Sequence, residues 1–198
     1  MSARKVLCAA PGTVTGFQYK YCDKFTANAA GLKLKVPSLK SELTHLGSGI
    51  FTLQETYFKK KINLQIKDWE IFEAIRKKEF GGSMIRAHKG LTPVLIQEYN
   101  SDFELIVVEA IISDREVKIM SGYGPQECWP IEQRLPFVQA LEEEITKAGL
   151  AGKLIIVSFD ANSKLGPERI PNDIHNMSPN GTVLAGIIKR HSLVVANS

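Results

Sequence analysis

The stretch Leu154-Ile155-Ile156-Val157-Ser158-Phe159-Asp160-Ala161-Asn162 decides how this chain is read. A short, wholly apolar run is the mark of a strand buried on both faces, and here it ends in an acid and an amide. A second segment has the same form. Ile50-Phe51-Thr52-Leu53 is a compact apolar run flanked by turn signals, and it leads straight into Gln54-Glu55-Thr56.

Working outward, strands are predicted at Tyr21 to Asn28, Trp69 to Ile75, Ser83–Ala87, Pro93–Glu98, Phe103–Ile112 and Val117–Tyr123, with Leu193-Val194-Val195 opening a last one. A short helix is expected from Pro37 to Leu43. Leu135, Val138, Leu141, Ile145 and Ala148 recur at helical spacing, with Pro136 expected in the first turn and Gly149 as the C-terminal cap. Ser178-Pro179 reads as an N-cap and first-turn pair, and Val183, Leu184, Ile187, Ile188 and His191 share one face behind it. Residues 1–20 show little periodicity and read as an irregular lead-in, leaving 21–198 as one domain. Strands in runs with helices interspersed point to an α/β (α+β) architecture of mixed sheets faced by helices, and away from a doubly wound parallel sheet.

The composition excludes several classes. With 44% hydrophobic and 23% charged residues, the chain is neither disordered nor a coiled coil. Its three cysteines form neither a disulfide framework nor a metal-ligand pattern, which suggests a reducing compartment. No stretch approaches the roughly 18 apolar residues of a spanning helix, so no membrane partner is expected and an intracellular site, nucleus or cytoplasm, is. The net charge of +4 suits a polyanionic partner, with Lys59-Lys60-Lys61 and Arg76-Lys77-Lys78 as the basic clusters.

Carboxylates at neighbouring strand ends make a site for a hard cation such as Mg²⁺, with Mn²⁺ as a substitute. Such an ion takes one or two carboxylates and completes its shell with water and phosphate. Glu55 and Asp160 stand at such ends. Asn28 and Asn162 could donate to phosphate oxygens without adding repulsive charge, and so could the Tyr123 hydroxyl before Gly124-Pro125. Taken singly, an Asp, Glu or Asn after a strand is more often a turn or cap residue. It is the five together that suggest phosphoryl chemistry.

In order along the chain, Asn28, Leu53-Gln54-Glu55-Thr56, Gly81-Gly82-Ser83-Met84-Ile85, Gly122-Tyr123-Gly124-Pro125, Asp160-Ala161-Asn162 and Asn180-Gly181 resemble the endonuclease/exonuclease/phosphatase superfamily. Tyr123-Gly124-Pro125-Gln126-Glu127 and Asp160 to Gly166 look most like the apurinic-type endonuclease domain that precedes reverse transcriptase in non-LTR retrotransposons. The resemblance implies a DNase I-like sandwich of two mixed β-sheets flanked by helices, acting on DNA. It implies that Glu55 binds Mg²⁺, Asp160 shares the metal or activates water, Asn162 and Asn28 hold the scissile phosphate, and Tyr123 contacts a phosphate oxygen. Lys59, Lys60 and Lys61 would track the nucleic-acid backbone.

Two departures qualify this. Family enzymes end in Ser-Asp-His, and no such tripeptide occurs in the 198 residues. The chain is therefore expected to lack its last strands, leaving a sheet edge for a partner to cover, such as a reverse transcriptase domain. Phe159 stands where the family has glycine, and its ring is expected to crowd the backbone beside the metal. The alternatives are a catalytically inactive remnant that binds nucleic acid or protein, and a small-molecule or lipid phosphatase.

Overall fold

The computed structural model describes residues 5–9, 23–28, 49–61, 65–75, 81–100, 103–165 and 176–196, with 5–9, 23–28 and 196 given by their backbone. The expected helix at Pro37 to Leu43, the cluster Arg76-Lys77-Lys78 and His175 lie outside the described residues. Ten strands are described: β1 (Lys5–Ala9), β2 (Asp23–Asn28), β3 (Gly49–Gln54), β4 (Trp69–Ala74), β5 (Ser83–His88), β6 (Val94–Tyr99), β7 (Glu104–Ile112), β8 (Arg115–Tyr123), β9 (Leu154–Asp160) and β10 (Val194–Ala196). Two helices flank them, α1 (Ile131–Leu150) and α2 (Pro179–Arg190).

The strands form two mixed sheets. The larger has the order β10-β1-β9-β8-β7-β6 and the smaller β2-β3-β5-β4. In the larger, β8 and β9 run parallel and the other neighbours antiparallel. In the smaller, β2 and β3 are parallel and β5 runs against both β3 and β4.

Period-2 alternation explains why the central strands are apolar without interruption. On β7 and β9, Ile106, Val108 and Ile156 face the smaller sheet and pack with Ile50, Ile85 and Ala87. Their alternates Leu105, Val107 and Val157 face the other way, onto Phe137 and Leu141 of α1 and Ile187 of α2. Each strand thus serves two cores. The result is a β-sandwich with helices on one face of its larger sheet.

Three local expectations change. Lys5–Ala9, inside the stretch read as irregular, forms β1 between β9 and β10. A five-residue run gives too little periodicity to stand out alone; a hydrogen-bonding neighbour on each side makes it a strand. Helix α1 starts at Ile131, which puts Pro136 inside the helix rather than in its first turn. It also runs past Gly149. Gly152, with φ +68, takes the left-handed position, its N–H bonding Gly149 O at 3.1 Å while Lys153 N–H bonds Ala148 O at 3.0 Å. That pair of bonds is the Schellman stop, which needs its glycine after the last helical residue.

Candidate active site

The two sheets are joined at one end by buried polar side chains. Thr52 Oγ1 and Ser158 Oγ lie 2.6 Å apart, and Ser83 Oγ and Ser121 Oγ 2.7 Å. Gln54 Nε2 donates to Ser121 Oγ at 3.2 Å. Buried polar groups must be paired with one another, so this ladder fixes how β3 and β5 register against β8 and β9. The residues that follow emerge just beyond it.

Tyr123 and Asp160 are register partners on the parallel pair β8 and β9, and Asn28 and Gln54 are partners on β2 and β3. The backbone therefore brings Asn28, Gln54-Glu55, Tyr123 and Asp160 to the same end of the sandwich. Asn162 joins them through the turn after β9. Its backbone N–H donates to Asp160 Oδ1 at 3.1 Å, and its Nδ2 donates to Gly124 O at 2.7 Å. Gly124 N in turn bonds Asp160 O at 2.7 Å. The first bond holds the turn after β9, and the other two tie the end of β8 to the end of β9.

The backbone is strained where these residues sit. Glu55, Tyr57 and Asn162 all have positive φ, at 55°, 56° and 43°. Residues other than glycine rarely hold that conformation, and it persists where the surroundings enforce it. Tyr57 N–H bonds Gly81 O at 3.0 Å. A Cβ on Gly82, itself at φ +88, would lie 2.5 Å from Thr56 Oγ1. The Gly81-Gly82 motif is thus the seat on which the Glu55-Thr56-Tyr57 turn rests.

Tyr57 is the residue that sequence reasoning missed. Its hydroxyl donates to Glu55 Oε2 at 2.8 Å. Burial, this hydrogen bond and the charge on Glu55, with smaller contributions from Tyr123 and Asp160, push the phenol up to about 12. Tyr57 is thus held as a hydrogen-bond donor to Glu55. Tyr123 is buried.

Among the described residues, no group of three or more His, Cys, Asp and Glu side chains is gathered to hold a metal ion. Two carboxylates with flanking amide and hydroxyl donors suit Mg²⁺, which keeps several waters and needs only one or two protein carboxylates. The donor set fits that ion and does not fit the closed ligand shell of a structural zinc site.

Other expectations shift. The Phe159 ring is buried on the helix side, 6.0 Å from the Phe137 ring, while Asp160 is directed to the opposite face of β9. Adjacent residues of a strand point to opposite faces, so the ring lies on the face away from the Asp160 side chain. Lys59 and Lys60 are exposed, but Lys61 Nζ is bound to Glu98 Oε2 at 2.7 Å. His191 packs between the helices, its Nε2 3.4 Å from Glu142 Oε1. His88 Nδ1 accepts from Gly90 N–H at 3.1 Å, and its ring meets Trp69 edge-on. Neither histidine belongs to the cluster.

Solved structures with a similar fold include the AP endonuclease LMAP from Leishmania major, with a TM-score of 0.65 and 13% identity over 84% of this chain and 66% of that one. The 3′-5′ exonuclease NExo from Neisseria meningitidis aligns with a TM-score of 0.60 and 18% identity over 83% and 69%. The endonuclease domain of TRAS1, a telomere-specific non-LTR retrotransposon, aligns at 0.57 and 16% over 84% and 68%. The chain has the fold of the endonuclease/exonuclease/phosphatase superfamily. No protein-family model and no curated protein sequence matches it. In this superfamily fold the chain spans about two thirds of its neighbours' length. Among the described residues, no helix is long and apolar enough to cross a membrane.

Proposed function

We propose that this chain is a phosphodiester-cleaving domain of retroelement endonuclease type, acting on DNA with Mg²⁺ (or Mn²⁺). The observation that carries the reading is the convergence of Glu55, Tyr123, Asp160 and Asn162 at one sandwich end on a strained, hydrogen-bonded backbone. The TRAS1 domain's shared fold, together with Tyr123-Gly124-Pro125-Gln126-Glu127 and Asp160 to Gly166, supports the retroelement assignment.

Glu55 and Asp160 would hold the cation, which when bound supplies positive charge to the phosphate as negative charge develops. Asp160, its Oδ1 fixed by Asn162 N–H, orients the attacking water in line with the leaving oxygen. Tyr123 donates its hydroxyl to a non-bridging phosphate oxygen. An Asn amide carries two N–H donors, so Asn162 can hold Gly124 O with one and face the phosphate with the other. Asn28, brought beside Gln54 by β2, would hold the phosphate from the smaller sheet. Lys59 and Lys60 would follow the DNA backbone, with Lys61 held back by Glu98.

The two described histidines are engaged elsewhere, and the sequence has no Ser-Asp-His. Loss of a general acid/base lowers rate by ~10²–10⁴. Supercoiled plasmid incubated with the chain, in Mg²⁺ and in EDTA, tests the reading when run beside a form fused to the C-terminal strands and Ser-Asp-His of a family enzyme. Mg²⁺-dependent nicks from the fused form, and far fewer from the chain alone, support it. The engagement of His88 with Gly90 and of His191 with Glu142 favours a second reading, a non-catalytic binding domain. That reading predicts salt-dependent DNA retention and no nicks from either form.

A further inference from the structure

The Tyr57 hydroxyl is directed at the carboxylate on which the proposed chemistry depends, from a backbone conformation that tyrosine adopts only under constraint. Three observations fix it there. The hydroxyl donates to Glu55 Oε2 at 2.8 Å. The Tyr57 N–H is tied to Gly81 O at 3.0 Å, and both Glu55 and Tyr57 sit at positive φ. The intervening Thr56 is buried, with its Oγ1 over the glycine at position 82. A tight turn that places residues 55 and 57 on the same side, sealed beneath by the glycine pair, leaves the Glu55 carboxylate little rotational freedom.

A carboxylate at a strand end, half exposed and on a three-carbon side chain, would otherwise sample several rotamers. A cation binding it would have to freeze them. A hydrogen bond to one oxygen removes that freedom in advance and leaves the second oxygen to coordinate. Outer donors of this kind commonly set metal affinity, and their loss costs 10–100-fold.

We infer that Tyr57 is a positioning residue for a divalent-cation site at Glu55, holding one carboxylate oxygen so that the other meets the ion. The inference rests on the proposed function, because it needs Glu55 to be a ligand. Tyr57 does not touch the reacting atoms in this scheme; it acts through Glu55.

The test uses the full chain, Mn²⁺ as a paramagnetic probe and Tb³⁺ as a luminescent one, so that the readout is binding and not activity. Mn²⁺ affinity is measured by electron paramagnetic resonance for the wild type, Glu55→Gln and Tyr57→Phe. Thermal melts confirm that each variant is folded. The expected result is loss of the site in Glu55→Gln and a Kd raised 10–100-fold in Tyr57→Phe. Tb³⁺ bound at Glu55 is excited through nearby phenol rings, so its sensitised emission at saturation should fall in Tyr57→Phe. If Glu55→Gln abolishes binding while Tyr57→Phe stays within about threefold of wild type, the positioning role is overturned and the site survives. If Glu55→Gln binds Mn²⁺ as the wild type does, Glu55 is not a ligand and both readings fall. Should Tyr57→Phe not fold, Tyr57→Leu, which likewise carries no side-chain donor, replaces it under the same criteria.

Discussion

Gly181→Ala should be among the most damaging single-methyl additions in this protein. Gly181 lies in the first turn of α2, and a Cβ there would lie 1.8 Å from Lys164 O and 2.8 Å from Lys164 C. Bringing that carbon to ordinary contact with the oxygen needs a movement of about 1.5 Å. Lys164 is backbone held in place, because Ser178 N–H bonds Lys164 O at 3.0 Å and Lys164 N–H bonds Ser178 Oγ at 3.0 Å. Ser178 Oγ is also the cap acceptor for Gly181 N–H at 3.2 Å. The movement would break this set. Overpacking costs ~1–3 kcal/mol and loss of an N-cap ~0.5–2 kcal/mol, so about 3 kcal/mol is expected. For a chain of this size that lowers Tm by ~6–12 °C. Scanning calorimetry reads it, with Gly149→Ala as the control. Gly149 is helical with nothing within 4 Å of its added Cβ, so alanine there should stabilise by ~0.5–1 kcal/mol. A Gly181→Ala melt within about a degree of wild type would refute the reasoning.

Further expectations follow from the same geometry. Phe159→Gly, which the family pattern recommends, should destabilise by at least the ~3–5 kcal/mol of a Phe→Ala change, since the ring is buried in the helix-side core; chemical denaturation reads it. Burial pushes the Glu144 carboxyl upward, but hydrogen bonds from Lys147 and Lys118 outweigh this and hold it below its ordinary 4.5. A lowered folded pKa gives stability that is present above the unfolded pKa and lost as pH falls through the folded one. The chain should therefore lose stability below about pH 4.5, and Glu144→Gln should flatten that limb in melts across pH. If the chain binds DNA, Lys59→Gln with Lys60→Gln should weaken binding uniformly across sequences and reduce the salt slope by about 2, measured by fluorescence anisotropy. Lys61→Gln should change it less because of Glu98.

Much of the sandwich was legible because its strands are short apolar runs with turn residues between them. β3, β5, β7, β8 and β9 all lie within a few residues of their expected bounds. Asn28, Glu55, Tyr123 and Asp160 could be grouped because each closes a strand or directly follows one, and strand ends meet in a sheet. What escaped depends on tertiary contacts. Tyr57 reaches Glu55 only because its backbone is left-handed, which no propensity foretells. Nothing in the apolar runs marks their hydroxyls as partners, yet Thr52 pairs with Ser158, and Ser121 with Ser83 and Gln54, across the two sheets. Arg86, charged and mid-strand, is fully buried, its Nε 3.3 Å from Met84 Sδ. β6 looked like any other apolar strand, but it lies at a sheet edge with Val94, Leu95 and Ile96 exposed. The direction of Phe159, by contrast, could have been read from the sequence. A residue next to Asp160 on a strand must face the other side.

The central claim is that Glu55 and its neighbours form a cation-dependent phosphodiester site, and plasmid nicking tests it most directly. The form fused to a family enzyme's C-terminal strands and Ser-Asp-His should convert supercoiled plasmid to open circles in Mg²⁺ and not in EDTA. Glu55→Gln in that form should lower the rate by two orders of magnitude or more, on the scale of a lost catalytic group. Unchanged Mg²⁺-dependent nicking by Glu55→Gln would contradict the account.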